Sequence, residues 1–190
     1  MINVLIDDRQ MRELKRVLAG TPKKIDAAVS SAINKTLTAS VSLMAKKITE
    51  EIVTAQKNVK TGISTKKSNK KTLSATLTLK KTKRLGLEFF KPRQNADGVT
   101  AKVSKNKKLT KIKGAFMGPR PGVVKASWRN KVFSRKGKAK KPIQKLRGPS
   151  PWGVYVAGDT SRVTEKEIKD LLLSQVARKI RDIKFKQGVL

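Results

Sequence analysis

From Ile25 to Ile52 the chain returns an apolar side chain at every third or fourth position: Ile25, Val29, Ile33, Leu37, Val41, Met44, Ile48 and Ile52. That spacing is the period of an amphipathic helix. Ala28, Ala32, Ser40 and Ala45 flank the stripe with small side chains. Thr21 followed by Pro22 predicts its start, because a proline's missing N–H costs nothing at the first helical position. About thirty residues make a helix of roughly 45 Å. Such a length predicts packing against another long element or another subunit, with Ile33, Leu37, Val41, Met44 and Ile48 as the expected helix-interface residues. Ahead of it, INVLI alternates like a short strand or an anchoring tail. DDRQMRELKRVLAG predicts a first helix, capped by Asp7 or Asp8, striped by Met11, Leu14, Val17 and Leu18, and ended by Gly20.

Beyond residue 60 the period changes from helical to alternating. A turn and a short helix around Ser64–Ser68 are expected first. Leu73, Ala75, Leu77 and Leu79 then face one way while Thr72, Ser74, Thr76 and Thr78 face the other, the mark of a half-buried strand. Leu85, Leu87 and Phe89 continue that parity, which makes Phe89 a core side chain and sends Phe90 to the opposite, partner-facing side. Pro92 would end a central strand, Asn95–Gly98 carries turn residues, and Val99, Ala101 and Val103 alternate again, predicting a hairpin over 85–103. Short strands are expected at Lys131–Ser134 and Lys141–Lys145. The Gly-, Pro- and Lys-rich stretch between Gly114 and Pro142 reads as a loop anchored by Phe116, Trp128 and Phe133, and GPSPWG as a turn. Thr164-Glu165-Lys166-Glu167 has capping-box spacing ahead of a last helix faced by Ile168, Leu172, Val176, Ile180 and Ile183. The predicted class is α+β: N-terminal helices including one long one, a small antiparallel sheet with long basic loops, and a C-terminal helix. Three segments follow: an N-terminal extension 1–20, a long helix plus basic sheet core 21–158, and a C-terminal helix 159–190.

Charge changes this picture most. The chain of 190 residues holds 46 Lys and Arg against 13 Asp and Glu, a net charge of +33. Residues 53–158 carry 29 of the basic side chains and two acids, Glu88 and Asp97. That middle cannot neutralise itself, so it calls for a polyanion, an acidic protein surface or an assembly that spreads the charge. A merely solvated basic surface is the plainer alternative. The residues expected to face a partner or DNA are Phe90, Lys91, Arg93, Arg129, Arg135, Lys136, Lys138, Lys140 and Lys141.

Chemistry is sparse. With no cysteine and no histidine, thiol nucleophiles and thiolate sites are excluded, and the commonest neutral-pH base and metal ligand are missing. The acidic pairs Asp7/Asp8, Glu50/Glu51 and Glu165/Glu167 sit where capping or solvation explains them, and the basic middle offers no converging carboxylates for two-metal chemistry. The expectation is a protein without catalytic residues, cofactor or metal. No apolar run is long enough to span a bilayer, and the acidic N-terminus is unlike a signal peptide, so a cytoplasmic site of synthesis and no membrane partner are expected. Zinc-finger spacing, an aromatic–glycine RNA-binding pattern and a phosphate-binding Gly-rich loop are all missing from the sequence.

Several segments, taken in order, resemble the phage minor tail protein Z family. SAINKT (31–36) is similar to that family's Ala-Leu-Asn-Arg-Thr type segment, and NVKTGIS (58–64) to its link into the first strand. LGLEFFKPRQNADGVTAKV (85–103), GAFMG (114–118) and KVFSRKGKAKKPIQKLRGPSP (131–151) resemble its strand–turn–strand segment, Ala-Phe loop and Gly-Pro-Ser run. Together they cover about residues 25–155; GPRPG and Pro151-Trp152 depart from the pattern. The resemblance implies a structural tail-completion protein at the head-proximal end of the tail, supporting head–tail joining and genome positioning. It implies tail and neck proteins as partners, a homo-oligomeric ring, non-specific contact with duplex DNA, and a location in the virion after assembly in the host cytoplasm. A free-standing, non-specific nucleic-acid-binding protein is the alternative.

Overall fold

The computed structural model describes residues 2–5, 22–118, 128–137, 142–157 and 159–186. The fold is α+β. The elements run β1 (Ile2–Leu5), α1 (Pro22–Glu51), α2 (Gln56–Lys60), β2 (Ile63–Lys66), β3 (Ser74–Leu79), a 3₁₀ turn (Leu87–Phe90), β4 (Arg93–Asn95), β5 (Gly98–Ala101), β6 (Thr110–Lys113), β7 (Ala115–Met117), β8 (Val132–Arg135), β9 (Ile143–Lys145), α3 (Pro151–Val156) and α4 (Thr160–Lys186). The strands form three separate antiparallel sheets, ordered β1-β3-β2, β4-β5-β6 and β7-β8-β9, where the sequence predicts one. The expected first helix and the Thr21 cap lie outside the described residues.

The chain forms two compact units. The first comprises Met1–Met44, Ile63–Leu79 and Gly158–Leu190; the second comprises Ala45–Gly62 and Lys80–Ala157. Each draws on segments distant in sequence, so neither follows the three consecutive segments that composition suggests.

In the first unit, β1 and β2 flank β3, with Val4 opposite Ala75 and Ile63 opposite Leu79. Ala75, Leu77 and Leu79 are buried while the intervening Ser and Thr residues are half-buried, as the alternation predicts. Val29, Ile33, Leu37 and Met44 of α1 are buried at 3% exposure or less, and Ile168 and Leu172 of α4 at 4% and 5%; α4 lies against β1. Two hydroxyls share the buried side of α1 and are satisfied locally. Thr36 Oγ1 donates to the Ala32 carbonyl and Ser40 Oγ to the Thr36 carbonyl, the back-bonding open to such residues inside helices.

Asn34 ties the loop after β2 to the helix. Its Nδ2 donates to the Ser68 carbonyl and its Oδ1 accepts from the Ser68 N–H, both at 2.9 Å. Ser68 Oγ then donates to the Thr72 carbonyl, and Asn69 Oδ1 accepts from the N–H groups of Lys71 and Thr72. This explains why 64–68 is not the expected short helix: residues 63–66 pair with β3, and the chain after them is held by Asn34 and an Asx turn. The short helix instead precedes the strand, at Gln56–Lys60.

Two other boundaries differ from expectation. GPSPWG is a helix start rather than a turn: Ser150 Oγ accepts the Gly153 N–H at 3.0 Å with Pro151 behind it, a hydroxyl cap followed by a pre-set proline. Thr164 does not open the last helix, which begins at Thr160. It is buried inside, and its hydroxyl donates to the Thr160 carbonyl. No helix among the described residues is long and apolar enough to cross a membrane.

Asn34→Ala leaves both backbone groups of Ser68, a residue only 6% exposed, without partners. Urea unfolding should show a loss of about 1–3 kcal/mol. Asn34→Asp, which keeps the acceptor but not the donor, should recover only part of it.

Candidate functional site

The second unit contains most of the basic middle of the sequence, and its framework is a stitch between two remote segments. Leu85 and Gly148 are joined by a backbone hydrogen bond from Gly148 N–H to the Leu85 carbonyl, and Leu87 N–H donates to the Leu146 carbonyl. Arg84 Nε donates to the Gly148 carbonyl. After Leu87 the chain tightens into the 3₁₀ turn, which spaces side chains by three rather than two. Leu87 and Phe90 therefore share the buried side and Phe89 swings out: Phe90 is 0% exposed and Phe89 is 41% exposed. This reverses the assignment made by strand parity. Phe90 is not a partner-facing residue; it is the largest fully buried side chain among those described. Its ring lies so close to Gly148 that an added methyl there would overlap it.

Around this anchor the cations are displayed outward. In β4-β5-β6, Arg93 stands opposite Thr100, which stands opposite Lys111, and Asn95 and Lys113 both face Gly98 in the next register. Opposed residues and those two positions along share a face. One face therefore carries Arg93, Lys111 and Lys113, all exposed. The other carries Val99 and Ala101, both buried, and half-buried Ile112. With strands about 4.8 Å apart, Arg93 and Lys111 stand about 10 Å apart across the sheet. Gln94 joins this sheet to the next, its Oε1 accepting the Met117 N–H at 2.7 Å.

In β7-β8-β9, Phe116 stands opposite Phe133, their ring centroids 6.0 Å apart, and Trp128 packs on Phe133 at 5.1 Å. The three aromatics are local anchors, as expected. They hold a sheet, however, and not a loop: β8 and β9 fall at the two short strands expected there, and β7 adds a strand in what reads as loop after Gly114. The guanidinium of Arg135 lies 5.0 Å over the Phe116 ring, a cation–π placement that fixes its charge at the surface.

Of the cations expected to face a partner, Lys91, Arg93, Arg129, Arg135 and Lys136 are exposed, while Lys138, Lys140 and Lys141 lie outside the described residues. The helix residues Ile33, Leu37, Met44 and Ile48 are 0–2% exposed. They are core of this chain and offer no surface to another subunit; Val41 is half-buried. Lys111, Lys113 and exposed Phe89 belong to the site without standing out in the sequence. The alternation Lys111-Ile112-Lys113 is the available signal for the first two.

The two acids of the middle are already engaged. Asp97 pairs with Lys111 at 2.8 Å across the hairpin. Glu88, with its side chain 13% exposed, pairs with Lys145, and its second oxygen is buried without a hydrogen-bond partner. No group of three or more potential metal ligands occurs among the described residues. No family model, no curated protein and no solved structure matches this chain.

Phe90→Ala should cost about 3–5 kcal/mol in chemical unfolding, and Gly148→Ala about 1–3 kcal/mol through overpacking of the same ring. In the double variant Gly148→Ala/Phe90→Ala, the destabilisation should fall well short of the sum. Additive effects would show that the two residues do not act on one another.

Proposed function

We propose that this protein is a non-enzymatic structural component of a phage tail, acting at its head-proximal end to complete the tail, join it to the head and position the genome. The observation that carries the reading is the charge balance of the basic middle. Both of its acids are already paired with lysines, so a surplus of 27 positive charges over residues 53–158 has no acid within that segment to meet it. A protein confined among acidic neighbours and close to packaged duplex DNA has a use for such a surface. The segments similar to the minor tail protein Z family support the same placement, including SAINKT, whose Asn34 clamps the first unit, and LEFF, whose Phe90 anchors the second.

In this reading the protein works as a homo-oligomeric ring among tail and neck proteins. The Arg93–Lys111–Lys113 face meets phosphates without reading sequence. Binding of that kind releases counterions and weakens steeply with salt.

Replacing Arg93, Lys111 and Lys113 together by Glu tests this. All three are exposed, so the variant should retain wild-type circular dichroism. Duplex binding should weaken, and the slope of log affinity against log salt should become shallower by roughly 0.9 for each phosphate that is no longer neutralised. In the phage or prophage that encodes the chain, the variant should accumulate unjoined heads and tails, and gold-labelled antibody should mark the head-proximal end of finished wild-type tails. Infectious particles that form normally without the protein would overturn the reading. Sequence-selective binding that persists at high salt would instead favour a free-standing nucleic-acid-binding protein.

A further inference from the structure

Phe89 is 41% exposed. It lines a cleft of about 650 Å³ in the second unit, together with Lys91, Lys105, Thr54 and Gln56. That volume lies within the range of small-molecule sites. The placement of the lining follows from the backbone. The 3₁₀ turn commits Phe90 to the core, which fixes Phe89 outward. Lys91 then takes a left-handed conformation, φ 49°, as the residue that ends the turn. Lys105 is brought to the same cleft by its N–H, which donates to the Glu51 carbonyl at 3.0 Å, alongside a second bond from the Val53 N–H to the Val103 carbonyl. Glu88 also lines the cleft, but its charge is met by Lys145, so the two lysines set the sign of the site.

We propose that this cleft binds an unpaired nucleotide of a single-stranded nucleic acid, with the base stacked on Phe89 and the neighbouring phosphates held by Lys91 and Lys105. An exposed aromatic ring lining the same cleft as two cations matches both parts of a nucleotide: a flat face for the base and positive charge for the backbone. An acidic peptide would satisfy the lysines and leave the ring without a planar partner. A continuous duplex would also leave it unused, because paired bases present their edges in the grooves and not their faces. A metal ion is not the occupant, since Glu88 is the one carboxylate lining the cleft and is already paired. The inference rests on the polyanion-binding part of the function proposed above and not on the protein's place in a particle.

The test uses the full chain, with fluorescence anisotropy of a labelled oligothymidylate and of a blunt duplex in about 0.1 M salt. Phe89→Ala should lower affinity for the single strand about five-fold or more, the effect of removing one stacked base, and leave duplex affinity unchanged. Phe89→Tyr, which keeps a stacking face, should restore it. Lys91→Ala and Lys105→Ala should each make the single-strand salt dependence shallower by roughly 0.7. Thermal melting close to that of wild type confirms that each variant is folded. Should Phe89→Ala fail to fold, photo-crosslinking of an iodouracil-substituted strand to Phe89 in the wild-type chain decides the matter. The proposal falls if Phe89→Ala binds oligothymidylate as well as wild type, if Phe89→Ala weakens duplex binding equally, or if polyglutamate competes with the strand through Phe89 as strongly as the strand itself. Absence of duplex binding in the wild type would count against the polyanion reading; intact duplex binding with no effect of Phe89 would count against this proposal alone.

Discussion

Repulsion among like charges sets the terms on which the second unit can fold. Residues 45–62 and 80–157 bring 27 cations together with four acids, of which only Glu88 and Asp97 lie in the basic middle, so ionic pairing cannot hold the unit together, and its cohesion must come from apolar burial. The buried set is small and specific: Ile48, Ile52, Val59, Leu85, Leu87, Phe90, Val99 and Val132 are each 4% exposed or less. Fully burying a side chain of this size is worth about 1.5–3 kcal/mol, enough to offset surface repulsion that water and salt already screen. The sheets supply the geometry for this separation. Each short strand divides its residues between a face that can be buried and a face that can carry charge.

The two acids occupy different positions in that arrangement. Asp97 sits at a hairpin tip, 71% exposed at its side chain, where its bond to Lys111 has modest value. Glu88 sits against the stitched segment with little exposure. There Lys145 compensates a carboxylate that would otherwise be costly to bury. The pair fastens β9 to the turn that carries Phe89 and Phe90, so the most buried acid of the unit and its largest buried ring are placed by the same four residues. This sharing leaves little freedom in LEFF: Leu87 and Phe90 go to the core, Glu88 to Lys145 and Phe89 to the surface.

How much of this is legible in the sequence depends on whether a period persists. The stripe from Val29 to Ile52 repeats for many turns, and the alternation from Ser74 to Leu79 spans a whole strand, so both elements are plain. LEFF is too short to reveal its own period. Next to Leu85 it looks like a strand, yet the bonds from 146–148 tighten it into a 3₁₀ turn, and one change of period exchanges Phe89 with Phe90. β6 and β7 are hidden for another reason: TKIK and AFM are strands because of the partners they meet, and their glycine- and lysine-rich surroundings read as loop. Thr164 shows the reverse error, a good capping motif overridden because the helix starts a turn earlier. Of the candidate site, exposed charge is readable from composition, but its collection on one face of β4-β5-β6 requires the register.

Three small sheets of three strands each also mean that two strands of every sheet have a partner on one side only among the described pairings. An unpaired strand side is a template for a neighbouring chain. Four of the six outer strands, β2, β4, β6 and β9, carry Lys66, Arg93, Lys111, Lys113 or Lys145, so copies meeting along those edges bring cation against cation, whereas β1 and β7 carry none. The protection is electrostatic and therefore conditional. When a polyanion neutralises these side chains, the barrier to lateral strand addition falls with it. Lateral strand addition along those charged edges would therefore require the charge to be met first, an order of events that needs no moving part.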